Sequence, residues 1–578
     1  MKEGFRQSMA WLHTWSGLLV GWVLFLIFAA GTSAYFREEI TLWMKPELHQ
    51  APQAAHITQA QAADTAQRFL NDNAQGSARW TINLPGGRED TLTTFWPLPQ
   101  AQQPAAKPGE RRRQRFENAS IDPATGARLE APRQTRGGDF FYRLHFDLHY
   151  MPVQWARWLV GFCAMFMLVA IVSGIVTHKR IFKDFFTFRP KKGQRSWLDA
   201  HNATAVLALP YHLMITYTGL VTLMFMYMPW GPQLAYKGDE QAFFSEAFPN
   251  SSRAGAKASG TAAPLVPIGA LVRQASDAWG GLPVARVTVS HPGDAAATVT
   301  VLQDNARGVS SKQASMLFSG TTGELLERRG DALAPAAETH GVLYGLHIGR
   351  FANSFVRWLF FLSGLAGTVM VATGLLLWAV KERQKYAKAV AKGGRVGFGV
   401  RLVDGLNVAA VAGLPLSMAA FFWANRLIPA GAADRSALEI TCFFAVWGTA
   451  AVAGIAWPTR RMWQGQLLAG GTLFALLPVL NPLTGGLGLP GAVAQGRWAI
   501  AGFDITVLLL GLALVACAWW LGKRKPAGHK AAQPSKPAAA GPAAAAAAVA
   551  VAGAAASTAA AGLPASTHQP LNATGATP

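Results

Sequence analysis

Leu12-His13-Thr14-Trp15-Ser16-Gly17 opens an apolar run that continues without a charge to Gly31 and Tyr35. A run of this length crosses a bilayer as a helix, and it carries an imidazole at one end. The pattern returns near residue 200, where His201 precedes Thr218-Gly219 at the same 18-position interval that separates His13 from Gly31. Two further runs match each other: Arg157-Trp158-Leu159 leads to Ser173-Gly174, and Arg357-Trp358-Leu359 leads to Thr373-Gly374. Residues 1–385 therefore read as two copies of helix, outer segment, helix, a symmetry that places equivalent residues about a shared axis.

Working outward, 578 residues that are 51% hydrophobic exceed one soluble domain and define an α-helical polytopic membrane protein. About eight spans are expected, near 12–35, 153–177, 203–228, 355–380, 403–425, 437–457, 465–480 and 500–521, the seventh being the weakest. The last four contain no histidine. Basic residues set the orientation, because short loops rich in Lys and Arg stay in the cytoplasm. Lys2 and Arg6, the loop from Lys179 to Arg195, Lys381 to Lys388, Arg460-Arg461 and Lys523 to Lys525 all fall on one side. The net charge of +21 is thus mainly a topology signal, and nucleic acid is not an expected partner. Both termini are expected in the cytoplasm of a bacterial inner membrane, with the first apolar run retained as a span.

The segments 36–150 and 229–350 face the other side and share a plan. An amphipathic stretch (Thr58 to Asn71; Pro267 to Trp279) precedes alternating strands (Arg79 to Leu84; Ala285 to Ser290 and Ala297 to Leu302). Gly-containing turns follow at Asp122-Pro123-Ala124-Thr125-Gly126 and Ser319-Gly320-Thr321-Thr322-Gly323. Two small α+β domains are expected, inserted in a duplicated helix hairpin. The chain then divides into a first span (1–35), outer domain one (36–150), spans two and three with their basic loop (151–228), outer domain two (229–350) and span four (351–385). An appended four-span bundle (386–525) and an Ala/Pro-rich tail (526–578), expected to be disordered, complete it. The Arg111-to-Arg115 run reads as a solvated loop.

Three cysteines, all within apolar runs, exclude a disulfide framework, a zinc site and a cysteine-ligated cluster. Gly486 to Gly491 matches the dinucleotide pattern by letter only, since no strand precedes it. The histidines remain. Duplication makes His13 and His201 counterparts at one depth near the cytoplasmic face. His149 and His347, each after a leucine, are counterparts near the outer face. Ionisable groups in spans are costly and mark function, and two symmetric imidazole pairs suit axial ligation of two haems. His212, 11 positions after His201, returns to within about 20° of the same helical face and some 16 Å deeper, and can lie between the two sites or orient one. His145 is an alternative to His149; His340 and His178 read as interfacial; His49, His56, His291, His529 and His568 read as surface residues. Arg157, Arg350 and Arg357 are candidates for carboxylate partners near the outer face.

The His13-Thr14-Trp15-Ser16-Gly17 opening, the Asp122-to-Gly126 turn, the His201-to-Gly219 span and Leu346-His347-Ile348-Gly349-Arg350 resemble the PepSY-associated transmembrane helix family over about residues 1–385. The outer segments are similar to its PepSY domains, here periplasmic. The resemblance, to its di-haem ferrisiderophore reductases in particular, implies two b-type haems per chain that carry electrons across the bilayer. The donor would be cytoplasmic or a quinol, and the acceptor a periplasmic ferric siderophore or other ferric chelate. It does not cover spans five to eight. Two other functions fit the same residues: a regulatory membrane protein whose PepSY-like domains restrain a peptidase or partner, and a transporter of iron, haem or chelate.

Overall fold

In the computed structural model, residues 3–50, 57–86, 88, 91–99, 114–178, 189–190, 192–247, 257–304, 308–331 and 333–523 are described. The arginines at 111–113, most of the basic loop after span two, His56, and the tail with His529 and His568 lie outside them.

Among the described residues, seven helices are long and apolar enough to cross a membrane. Four belong to the duplicated part or border it: α1 (Glu3–Ala34), α5 (Val153–Thr177), α10 (Ser354–Lys385) and the first helix of the bundle, α11 (Phe398–Leu427). The bundle continues with α12 (Arg435–Ala456), α13 (Arg460–Leu483) and α14 (Trp498–Lys523). The seventh apolar run, expected to be the weakest, is a 24-residue helix that keeps Pro478 and Pro482 in its last turns. Span three is the exception. Expected as one helix, it is two, α6 (Gln194–Leu207) and α7 (Leu209–Thr222), bent by 69° at Ala208. Pro210 accounts for the break, because it supplies no amide to the preceding turn and its ring collides with the carbonyl there.

Before the outer helices come α2 (Arg37–Trp43), α3 (Gln59–Asn73) and α4 (Gly138–Asp147) in the first copy, and α8 (Ile268–Ala278) and α9 (Pro335–Ile348) in the second. The strands are β1 (Arg79–Asn83), β2 (Leu92–Pro97), β3 (Phe116–Ile121), β4 (Val284–Ser290), β5 (Thr298–Gln303), β6 (Ser315–Ser319) and β7 (Leu325–Arg329). The two outer segments, expected as separate domains, share one antiparallel sheet in the order β3-β2-β1-β4-β5-β6-β7. The weld is β1 against β4, with Ile82 opposite Val287 and Trp80 opposite Val289. Alternation explains it: Trp80, Ile82, Val287, Val289, Val299 and Val301 point to one face, and only a joint layer of α3 and α8 covers them all. The helices are tied to each other as well. Asp64 and Gln67 of α3 accept from the Gly269 and Ile268 amides at the start of α8 (2.6 and 2.8 Å), filling bonds that a helix N-terminus leaves open.

The bundle is bolted to the duplicated part by polar groups. Trp22 Nε1 donates to Asn407 Oδ1 (2.9 Å) beside a π-helical turn at Val408–Ala412, and Arg383 pairs with Asp404 (2.6 Å). At the sheet-bearing end a larger network closes the seam. Arg426 lies over the Trp43 ring (4.1 Å) and donates to Asn481 Oδ1; Asp504 accepts from Trp43 Nε1 (2.8 Å) and from Asn481. His49, read from sequence as a surface residue, is fully buried here. Its Nδ1 accepts from the Leu487 amide (3.0 Å) and its Nε2 donates to the Leu42 and Trp43 carbonyls.

Candidate functional site

The duplicated helices bring His13 of α1 and His201 of α6 together, their ring centroids 6.1 Å apart and nearly perpendicular. Each Nδ1 lies on a carbonyl of the neighbouring helix: His13 on Ala170 O (2.8 Å) and His201 on Met370 O (2.9 Å). A carbonyl oxygen only accepts, so each Nδ1 carries the proton and each neutral ring keeps its lone pair on Nε2. Both carbonyls stand one turn before a glycine that faces the ring. A Cβ on Gly174 would lie 3.1 Å from His13 Cε1, and one on Gly374 would lie 3.2 Å from His201 Cε1.

The outer pair is not the one expected. His149 sits past the end of α4 in a left-handed conformation (φ 60°) and stacks on Phe444 of the bundle at 5.5 Å. His145, one turn earlier, points inward instead, 3.7 Å from a Cβ on Gly31, while His347 of α9 is 3.1 Å from one on Gly219. Both line a cavity of about 530 Å³. Thr218 spends its hydroxyl proton on Met214 O (2.7 Å), so its oxygen accepts from His347 Nδ1 (3.2 Å). Burial depresses both imidazoles, His145 to about 4 and His347 to about 3, so both are neutral at physiological pH, the form that ligates metal. The 18-position interval now has a structural meaning. α1 offers an imidazole to one pair and a glycine to the other, and α6 with α7 does the same.

His212 is buried between the pairs, with Nε2 on Ser363 O (3.3 Å) and its ring edge-on to Phe28. His178 meets Asn202 (3.0 Å), joining α5 to α6, and His340 lies against Phe225. Neither is at a pair.

The cavity is lined on one side by apolar Leu24, Phe28, Val160 and Met167 and at its charged rim by arginines and the Glu38 carboxylate. Arg157 and Arg350 stand there, the former held by Asp147 (2.8 Å). Arg357 does not. It is buried in an ion pair with Glu39 and covers the Phe36 ring, so it fixes α2 rather than the rim. Sequence reasoning missed Arg37 and Arg88, which also line the rim; Arg88 pairs with Glu38 (2.9 Å) and Glu39 (3.0 Å). Arg37 satisfied the test applied to the other arginines, since it is the first charge beyond an outer span end. Loop residues 308–313, between β5 and β6, roof the cavity: the Ser311 amide donates to Gly341 O (2.9 Å) of α9. Among the described residues no group of three or more His, Cys, Asp or Glu side chains is placed to hold an ion.

These features define a polytopic helical membrane protein with a fused outer sheet and two imidazole pairs at opposite ends of a duplicated helix set. The chain belongs to the family described as the PepSY-associated TM region, whose model matches residues 10–381 and stops before the bundle. No curated protein matches it.

Proposed function

We propose that the chain binds two b-type haems, one between His13 and His201 and one between His145 and His347, and moves electrons through them to a ferric chelate. The reading rests on the 6.1 Å separation of the His13 and His201 rings with both Nδ1 atoms engaged elsewhere. Two imidazoles are too few to hold a bare ion, and His13 with His201 would hold the iron of a haem. The outer cavity fits the shape of such a group. Its apolar lining would take the macrocycle, and Arg350, with Arg37 and Arg157 if they exchange Asp139 and Asp147 for it, would meet the propionates. When bound, haem supplies one-electron centres closed to oxygen, and a site near each face divides a hydrocarbon core of about 30 Å.

The protein's own part is orientation. Ala170 O, Met370 O and Thr218 Oγ1 fix the ring tautomers and aim Nε2, and the facing glycines admit the rings. By the positive-inside tendency of the basic loops, the His13 and His201 end would lie in the cytoplasm of a bacterial inner membrane, facing a cytoplasmic or quinol donor. The sheet then stands in the periplasm over the acceptor, a hard oxygen-donor siderophore whose hold on iron weakens once the metal is ferrous. Absorption spectra of the detergent-purified chain, oxidised and dithionite-reduced with haem counted, test this: two equivalents with sharp reduced bands are expected. A colourless preparation from porphyrin-supplied cells would overturn it.

A further inference from the structure

The bundle formed by α11 to α14 lies outside the family match, yet it packs on α4, which with α1 and α2 lines the outer site. One side of α4 lines the cavity with Tyr142, His145 and Phe146. Its opposite side is aromatic and packs on the bundle. Phe140 stacks on Phe421 (4.8 Å) and meets Phe443 edge-on (5.0 Å), and Phe141 contacts Phe421 and Phe422 (5.4 and 5.7 Å). Both ends are held from the same quarter. Ahead of α4, Thr135 donates to Glu439 Oε2 (2.6 Å), the Gln134 carbonyl accepts from Arg435 (2.9 Å), and Arg133 reaches the Asn425 carbonyl (3.0 Å). Arg435 and Glu439 form an ion pair with no exposed surface, and Asn425 also donates to Glu439 (2.8 Å). Behind α4, Leu148 and His149 adopt left-handed conformations (φ 51° and 60°). Two successive non-glycine residues there are strained and persist only where the surroundings over-determine them. The stack of His149 on Phe444 supplies that constraint.

The other outer imidazole is supported differently. α9, which carries His347, is held by the sheet: loop 308–313 bonds to Gly341, and Gly345 lets the Val309 carbonyl approach closely. The two copies therefore differ here: α4 packs on the bundle as well as on α1, α2 and α5, whereas α9 packs on α7 and on loop 308–313 of the sheet.

We infer that spans five to eight are a positioning element for His145, with Phe421, Phe443 and the Arg435–Glu439 pair setting the placement of α4. The metal-ligand part of this inference rests on the function proposed above; the mechanical part does not. In the full-length protein, Phe421→Ala and Glu439→Gln are compared with Phe421→Leu, as the conservative rescue, and with Asn407→Ala, which loosens the bundle seam away from α4. Two readouts are taken: the midpoint potential and retention of each haem, and hydrogen exchange across residues 138–147 and 335–348. F421A and E439Q are expected to lower retention of one haem about 10- to 100-fold and shift its potential, leaving the other unchanged. They are also expected to raise exchange in α4 but not in α9, with F421L restoring both and N407A doing neither. Unchanged α4 exchange in F421A and E439Q, or equal effects from N407A, would overturn the inference. Colourless protein that shows the expected exchange pattern would refute the haem reading and keep the positioning role.

Discussion

Replacing Gly174 by leucine tests whether the inner imidazoles stand where a shared axial ligand set needs them. A Cβ at 174 meets His13 Cε1 at 3.1 Å and Nδ1 at 3.2 Å, closer than ordinary contact, and a leucine adds three more carbons in the same direction. The ring must turn away, which stretches its 2.8 Å bond to Ala170 O. Losing that bond costs about 0.5–1.5 kcal/mol, and overpacking adds roughly 1–3 kcal/mol. A sum near 3 kcal/mol corresponds to about a 150-fold weaker inner site, since each 1.4 kcal/mol is tenfold. Gly31→Ala is the internal comparison. Its Cβ has 3.7 Å to His145, and alanine favours a helix by up to about 1 kcal/mol, so that variant is expected to be neutral or slightly more stable. The assay is haem retention against a competing apo-globin, followed by absorption and thermal unfolding. Equal retention and identical spectra for G174L and wild type would refute the placement of His13.

Exchanging His145 for alanine is expected to remove one haem equivalent, whereas His149→Ala leaves two; a haem count decides, and the reverse result would restore His149 as ligand. Burial first, and then Arg426, holds His49 at about 4 against an ordinary 6.5. Its unfolded state therefore binds more protons between those values, so stability falls as pH drops from 6.5 toward 4, by about 3 kcal/mol in all. Unfolding midpoints against pH are expected to flatten in His49→Gln, and an unchanged slope would contradict this. Arg435→Met strands the buried Glu439 and is expected to cost about 3–5 kcal/mol, while Arg435→Met with Glu439→Leu costs less; thermal unfolding of both variants checks the order.

The architecture was legible where one physical signal dominated. Apolar runs marked the spans, and alternation at Ala285 to Ser290 marked a strand whose partner across the copies it could not name. Pairing β1 with β4 depends on a common helix layer, which neither segment declares alone. The inner pair followed from matched intervals. The outer pair did not, because the repeated Leu-His dipeptide misled: α9 ends in left-handed Gly349, two residues after His347, while α4 ends in left-handed Leu148, three after His145. One residue of slip turns a side chain about 100° around a helix. His49 looked like loop surface because its cover comes from Leu487, far along the chain.

The shared sheet also sets an order of assembly. β1 and its partner β4 are separated by some two hundred residues and by two membrane crossings, so the first copy emerges with an unpaired edge and waits for the second to be delivered. An unpaired strand edge invites foreign pairing, which makes that interval the vulnerable moment of biogenesis. Expression at low translation rate, or with outer-compartment holding factors limiting, should expose it as aggregation of chains arrested after residue 228.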